Sequence, residues 1–492
     1  MKKLFILLSI TLLLINAATA QTQAPAKPDT TKTKSATETK LHIKTDTIAA
    51  NAPIQNFYKT DSTDRKSSPK SRMTVYGFID TADLKLKNCD FEKDANAMVL
   101  FDRAEFLFSY IRIVMVRQRR IKIFNENGKS EANIRIEYDN RFGAETIEGL
   151  EAETINLVNG KAVYTRLDPK LIYSEHTDKS KDAVIFSFPE AKAGSIIEYK
   201  YIWSRPFSRS LPGWSFQCDL PTRYSQATIV LNQTISSTVL FKNDQPFVKD
   251  TTTSAGLGHV WAMASVPSLK DEPYMRSKKD VTQSLSFVIQ EVTINGVHTK
   301  VSASWADVGQ QLADEKDINK PFDQNLRDED DLIKQAKALP AQADRVAFLF
   351  NQVKTLMKWN EEKNWASKDG IKNAWKKKSG NWGEINMILY HLLKRADVKA
   401  YPMLVSTRDN GQLRPDFVDI YQINKLVTYV PVDSTMYYVL DATDKYNIYN
   451  EIPFELLNSY GLQIDKEQKK YEMVFMQKKA AGKTGSFCAG RC

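Results

Sequence analysis

Residues 380–396 read GNWGEINMILYHLLKRA. Ile385, Leu389, Leu392, Leu393 and Ala396 recur at three- and four-residue spacings, which places them on one face of a helix. Asn381, three residues ahead of Glu384, has the spacing of a capping box, so the helix is predicted to start there. Helical patterning begins near Trp305. Between Asp344 and Asn360 a further helix is predicted, with Val346, Leu349, Phe350, Val353 and Met357 on one side. Three strand candidates follow the 380–396 stretch, at 400–406, 423–431 and 437–443. Helices followed by strands make residues 301–477 an α+β region.

The chain ahead of this region has period two. Ile111–Arg117, Ile121–Ile123, Ile134–Tyr138, Val163–Tyr164 and Ile196–Trp203 are rich in β-branched and aromatic residues, and Asn127-Gly128 and Asn159-Gly160 supply turn signals. Strands with little helix predict antiparallel sheets packed as a sandwich over 73–225. Similar runs at 227–231, 260–262 and 285–294 predict a second β-lobe over 226–300.

Met1-Lys2-Lys3, an apolar run to about Ala17 and Ala18-Thr19-Ala20 have the form of a secretory signal peptide, 1–20. The run is shorter than the roughly 20 residues of a membrane span, and no later stretch is apolar enough, so the mature protein is expected to lack a transmembrane segment. Residues 21–72 are Thr-, Lys-, Ser-, Asp- and Pro-rich and read as a disordered tether. The net charge of +10 resolves into +2 from Lys2 and Lys3, +5 from residues 21–72 and +4 from the flexible tail 478–492, leaving about −1 for 73–477. A nearly neutral body gives no support for a nucleic-acid partner. Cys89 and Cys218 either pair in an oxidising compartment or stand as two buried thiols. No metal-ligand spacing occurs, no cofactor is expected, and Gly482-Lys483-Thr484 lacks the upstream glycine of a phosphate-binding loop.

Particular residues add a resemblance. Gly380–Asn386 with Leu389, Leu392, Leu393 and Arg395 resembles the helix that begins with Gly-x-Cys in the transglutaminase-like, papain-type superfamily. Pro402–Arg408 resembles the following strand, Asn424–Val427 the strand of the catalytic His, and Leu440–Asp444 that of the catalytic Asp. Upstream, Trp214-Ser215-Phe216-Gln217 with Pro221 is similar to the uncharacterised β-domain that precedes this core in exported Bacteroidetes proteins. The resemblance implies a multidomain chain, a β-rich sandwich-type region followed by an α+β transglutaminase-like domain. It implies a site in which Trp382 stands at the Cys position, Lys425 at the His position, and Asp441 is retained. A thiolate at a helix N-terminus, activated by His, is the family's nucleophile. Here no Cys lies between Cys218 and Cys488, and none of the five His follows His391.

Three readings follow. The first is a catalytically inactive exported protein of the periplasm or cell surface of a Gram-negative bacterium, binding or scaffolding peptide or cell-wall material. The second is a hydrolase or amide transferase of the same fold with altered residues. The third is a structural periplasmic protein interacting through its β-lobes. Trp359, Trp365, Trp375 and Trp382 are candidate binding residues, since rigid aromatic surfaces grip peptides and sugars. Lys425 as the base for Ser379, or Glu384 with Asp441 as a carboxylate pair, are the catalytic alternatives; His391 and Glu384 also have structural readings.

Overall fold

The computed structural model describes residues 39–40 and 76–478, except 109–110, 140–144, 179–180, 208–209, 232–233, 254–257, 273–274, 276, 295, 301–303, 315–324, 368–369 and 434–435. The signal-peptide segment, most of the tether and the tail lie outside the described residues. Within the tether, Thr39–Lys40 forms a short strand beside Thr238 and Val239.

An eight-stranded sheet organises the β-rich part. Its order is Lys249–Thr252, Gly258–Val266, Thr222–Leu231, Ala97–Phe108, Arg112–Ile123, Ile196–Pro206, Thr146–Val158 and Lys161–Arg166. Neighbours are antiparallel except 222–231 against 97–108, which run parallel. The sheet takes strands from both sides of residue 225, so the expected division at 225/226 is not a boundary between sheets. The Asn159-Gly160 turn closes its last hairpin, both residues having positive φ as a two-residue hairpin turn requires.

One face of this sheet carries two others. Leu100 is an extra residue between the pairs Val99/Ile121 and Phe101/Arg120, so Ala97 and Val99 before the bulge share a face with Ala104, Phe106 and Phe108 after it. At one end that face packs on the three-stranded sheet of Asn133–Asp139, Tyr173–Asp178 and Lys181–Ser187, through Val99, Ile121, Phe186 and Tyr199. At the other end it packs on the five-stranded sheet containing Ser210–Ser215, Ile235–Lys242 and Ser284–Ile294, through Phe106, Phe108, Trp214 and Phe287. Asp102 lies on the same face, where Arg117 donates to it at 2.7 Å and Arg119 stands at 3.5 Å. Burial alone raises the Asp102 pKa; the two guanidinium groups outweigh it and hold the carboxyl below its usual range. Cys89 and Cys218 are unpaired thiols, and the Cys218 sulfur accepts from Arg119 at 3.1 Å.

In the C-terminal part, the helix Trp382–Arg395 is buried nearly all round. Ile385, Ile388, Leu389, Leu392 and Leu393 share a core with Val346, Leu349, Phe350 and Val353 of the helix Gln342–Leu356 and with Leu404, Leu426, Val430, Leu462 and Ile464 of a sheet. That antiparallel sheet has the order Tyr437–Leu440, Lys425–Pro431, Tyr401–Val405, Ser459–Asp465, Lys470–Met476. Its last two strands extend the three expected. No helix among the described residues is long and apolar enough to cross a membrane.

Replacing Asp102 with Ala leaves two half-buried guanidinium groups without their carboxylate. Chemical denaturation is expected to show a loss of about 3 kcal/mol; a loss below about 1 kcal/mol would mean the pair contributes no more than an exposed one.

Candidate functional site

The capping box fixes the start of the Trp382 helix: the Asn381 side chain accepts from the Glu384 N–H at 2.8 Å, and Glu384 accepts from the Asn381 N–H at 3.0 Å. Gly383 lets the preceding loop lie against this end, since a Cβ there would meet the Trp365 carbonyl at 2.1 Å; the Gly383 N–H donates to Asn364 O. Glu384 is therefore engaged in the cap, not paired with Asp441.

Trp382, Lys425 and Asp441 come together beside this helix end. Lys425 Nζ is 2.6 Å from Asp441 Oδ2 and 4.4 Å from the Trp382 ring centroid. All three are buried, at 6, 2 and 0% exposure. Asn386, one turn along the helix, donates to Asp441 Oδ1 at 3.0 Å and to Leu426 O, and accepts from the Ala442 N–H. Thr443 donates to Asp441 through both its N–H and its hydroxyl, and Asn447 donates to the Asp441 carbonyl. A second carboxylate, Glu455, sits 2.6 Å from Lys425 Nζ on the other side. No local sequence period marks Glu455; it lies in a three-residue 3-10 turn, Phe454–Leu456, brought in by the chain after the Asp441 turn.

Electrostatics follow from this placement. Burial raises the Asp441 pKa, but Lys425, Thr443 and Asn386 more than compensate, and the carboxyl is held below its usual range. Burial lowers the Lys425 pKa, but Asp441 and Glu455 reverse the effect and raise it. Lys425 is thus a protonated ammonium between two carboxylates at neutral pH, which is the wrong state for the base of a Ser–Lys mechanism.

The tryptophans divide. Trp359 stacks on Trp382 with ring centroids 5.7 Å apart and planes 20° apart, and Lys363 stands 5.7 Å over the Trp382 ring. Trp365 is half-buried beside the helix start. Trp375 is not with them: it is 3% exposed in the core, its indole N–H donating to Arg327 O at 2.7 Å. Ile371, Ala374 and Trp375 are the buried face of the helix Ile371–Lys377, which explains its departure from the candidate surface. His391 is likewise structural in its contacts, 2.6 Å from Glu329, which also holds Arg395.

Comparison with known proteins adds little chemistry. The model of DUF3857, a domain of unknown function with solved structure, matches residues 112–270. No curated protein matches. Among solved structures, the chain is similar to a candidate protease from Parabacteroides distasonis, at 11% identity over 73% of this chain and 72% of that one, TM-score 0.48. It is also similar to a candidate cysteine protease from Cytophaga hutchinsonii, at 8% identity over 69% and 78%, TM-score 0.18. These likenesses carry no argument about activity.

Removing the ammonium strands the fully buried Asp441 carboxylate, whereas Glu455, its side chain 39% exposed, keeps its solvent. Lys425→Met is expected to lose about 3–5 kcal/mol in chemical denaturation, with part regained in Lys425→Met/Asp441→Asn; an undiminished single variant would refute the pairing. The pH signs are opposite for the two groups. Asp441, depressed, stabilises above its unfolded pKa of about 4 and loses this as pH falls through its folded value. Lys425, raised, stabilises below about 10 and loses this as pH rises through its folded value. A wild-type stability plateau between these limits, with its acid shoulder reduced in the double variant, is the expected urea-midpoint profile.

Proposed function

We propose that this chain is an exported transglutaminase-like protein that no longer catalyses and works as a binding or scaffolding module for peptide or cell-wall material. The observation that carries the proposal is the Lys425 ammonium, bonded at 2.6 Å to Asp441 and to Glu455 where the family's imidazole would stand. A family triad needs a thiol, and Trp382 offers an indole, which cannot act as a nucleophile. The retained Asp441 then orients no base; it neutralises a cation. A pseudo-site of this kind keeps the fold's cleft without its chemistry.

The recognition surface proposed is the rim, not the floor. Trp382 is covered by Trp359 on one side and Lys425 on another, so ligands would meet Trp359, the exposed Lys363 and the exposed Phe454 beside Glu455. Aromatic faces flanked by cations suit sugars and peptides with acidic groups. Export to the periplasm or cell surface, proposed from the N-terminal segment, would place the chain beside such material.

Intrinsic tryptophan fluorescence of the full chain, titrated with soluble peptidoglycan fragments, tests this. A saturable change is expected, lost in Trp359→Ala, with no fragment cleaved in the same mixture. Cleavage that disappears in Asp441→Ala would instead establish the altered-residue enzyme. A chain indifferent to the fragments would leave the β-rich part as the interacting region and refute the cleft.

A further inference from the structure

A cleft lies between the β-rich part and the C-terminal part, next to the hollow lined by Phe454 and Glu455, with which it shares Asp280, Gly411 and Gln412. It is open to solvent and holds about 180 Å³. One wall comes from Lys242, at the end of the strand Ile235–Lys242, and from Lys279 and Asp280 of the turn of helix Lys278–Val281. The other comes from the 410–422 segment, with Arg414 and Phe417. Three cations and one carboxylate therefore line it.

The single carboxylate is already committed. Asp280 Oδ1 accepts from the Gln412 N–H at 2.7 Å. Gly411 makes that approach feasible: it has φ of +95°, and a Cβ there would meet Asp280 Oδ1 at 3.0 Å. Lys242 donates to the Lys279 carbonyl at 2.7 Å, and neither lysine makes a salt bridge among the described residues. Burial pushes the Lys242 pKa down, Asp280 pulls it back in part, and the nearby Arg414 pushes it down again. Arg414 shares its charge with Asp416 at 2.7 Å, outside the lining. Lys279 is exposed and stands under the field of Asp409 and Asp280 against that of Lys181. The cleft itself thus sets two half-buried cations, Lys242 and Arg414, and the exposed Lys279 around one lining carboxylate, in a space large enough for several waters or one small anion. A lysine held there at an electrostatic cost is the arrangement of an anion site, because an incoming anion regains the lost solvation as charge-assisted hydrogen bonds.

We propose that this cleft binds a small polyanion, bearing carboxylate or phosphate groups, that bridges Lys242 and Lys279 on one wall to Arg414 on the other. Its occupant would tie the two parts of the chain together. The site requires nothing of the Trp382 reading, and its two cationic walls come from different parts of the fold, so binding would stabilise their contact by mass action.

Calorimetric titration of the full chain with citrate, and separately with pyrophosphate, against sodium chloride at matched ionic strength, is the test. Saturable one-site binding of at least one anion is expected, with a raised thermal midpoint. Preference for citrate or pyrophosphate assigns the carboxylate or the phosphate source. Lys242→Met and Arg414→Gln should each weaken binding roughly tenfold or more. Lys242→Met should also melt no lower than wild type without anion, since it removes the burial cost of the ammonium, which outweighs its attraction to Asp280, while keeping the apolar stem. Should Lys242→Met fail to fold, Arg414→Gln carries the comparison. Binding by neither anion, the same response to sodium chloride, or affinity untouched by the variants would overturn the proposal.

Discussion

A carboxylate with no solvent contact must have its charge answered on every side, and Asp441 sets that requirement for the C-terminal part. The answers come from three separate pieces of chain, and a fourth holds the lysine among them. Asn386 reaches from the helix, Lys425 from the neighbouring strand, Thr443 and Asn447 from the following turn, and Glu455 holds Lys425 from beyond it. Asn386 also joins Leu426 O and the Ala442 N–H, so one side chain stitches the helix to two adjoining stretches of backbone. Apolar burial fills the space between helix and sheet, but these directional bonds fix which turn of the helix faces which strand.

The β-rich part uses a related device. Asp102, Arg117 and Arg119 occupy the same sheet face that carries Val99 and Ile121 toward one covering sheet and Phe106 and Phe108 toward the other. Hydrophobic contact alone would let the two covering sheets slide along this face. The Asp102–Arg117 pair ties strands 97–108 and 112–123 together between the two apolar fields, while Arg119 Nε has no hydrogen-bond partner among the described residues. The bulge at Leu100 is what keeps both fields on one side.

Helix periodicity and the Asn381–Glu384 spacing were legible in the sequence because both are local. The strand Ser459–Asp465 was not, partly because Gly461 interrupts it. That glycine lies against Met403 of the adjacent strand, where a Cβ would come within 2.6 Å of the sulfur. The residue that obscures the strand thus leaves room for the Met403 side chain. Residue types at Trp382, Lys425 and Asp441 could be read, whereas Glu455 belongs to the site only through a distant return of the chain. Trp375 did leave a trace, since Ile371, Ala374 and Trp375 are spaced as one helix face. The sheet that spans residue 225 left none, because its joining pair is set by distant register and not by any local period.

That joining pair has a consequence for how the molecule assembles. The 97–108 strand meets 222–231 in parallel, Val99 opposite Thr222, and 222–231 then receives 258–266. A parallel partner cannot be supplied by a hairpin, so the central sheet stays incomplete until a long intervening stretch has been laid down. During synthesis the 97–108 strand, with Phe106 and Phe108, waits with an open edge for a segment produced much later. Its neighbour 112–123 pairs with it across a short sequence separation, whereas closure on the other side depends on a high-sequence-separation contact, the kind that slows folding and leaves an unpaired edge in the meantime. The architecture therefore favours a chain that is kept from collapsing until most of its β-rich part has emerged.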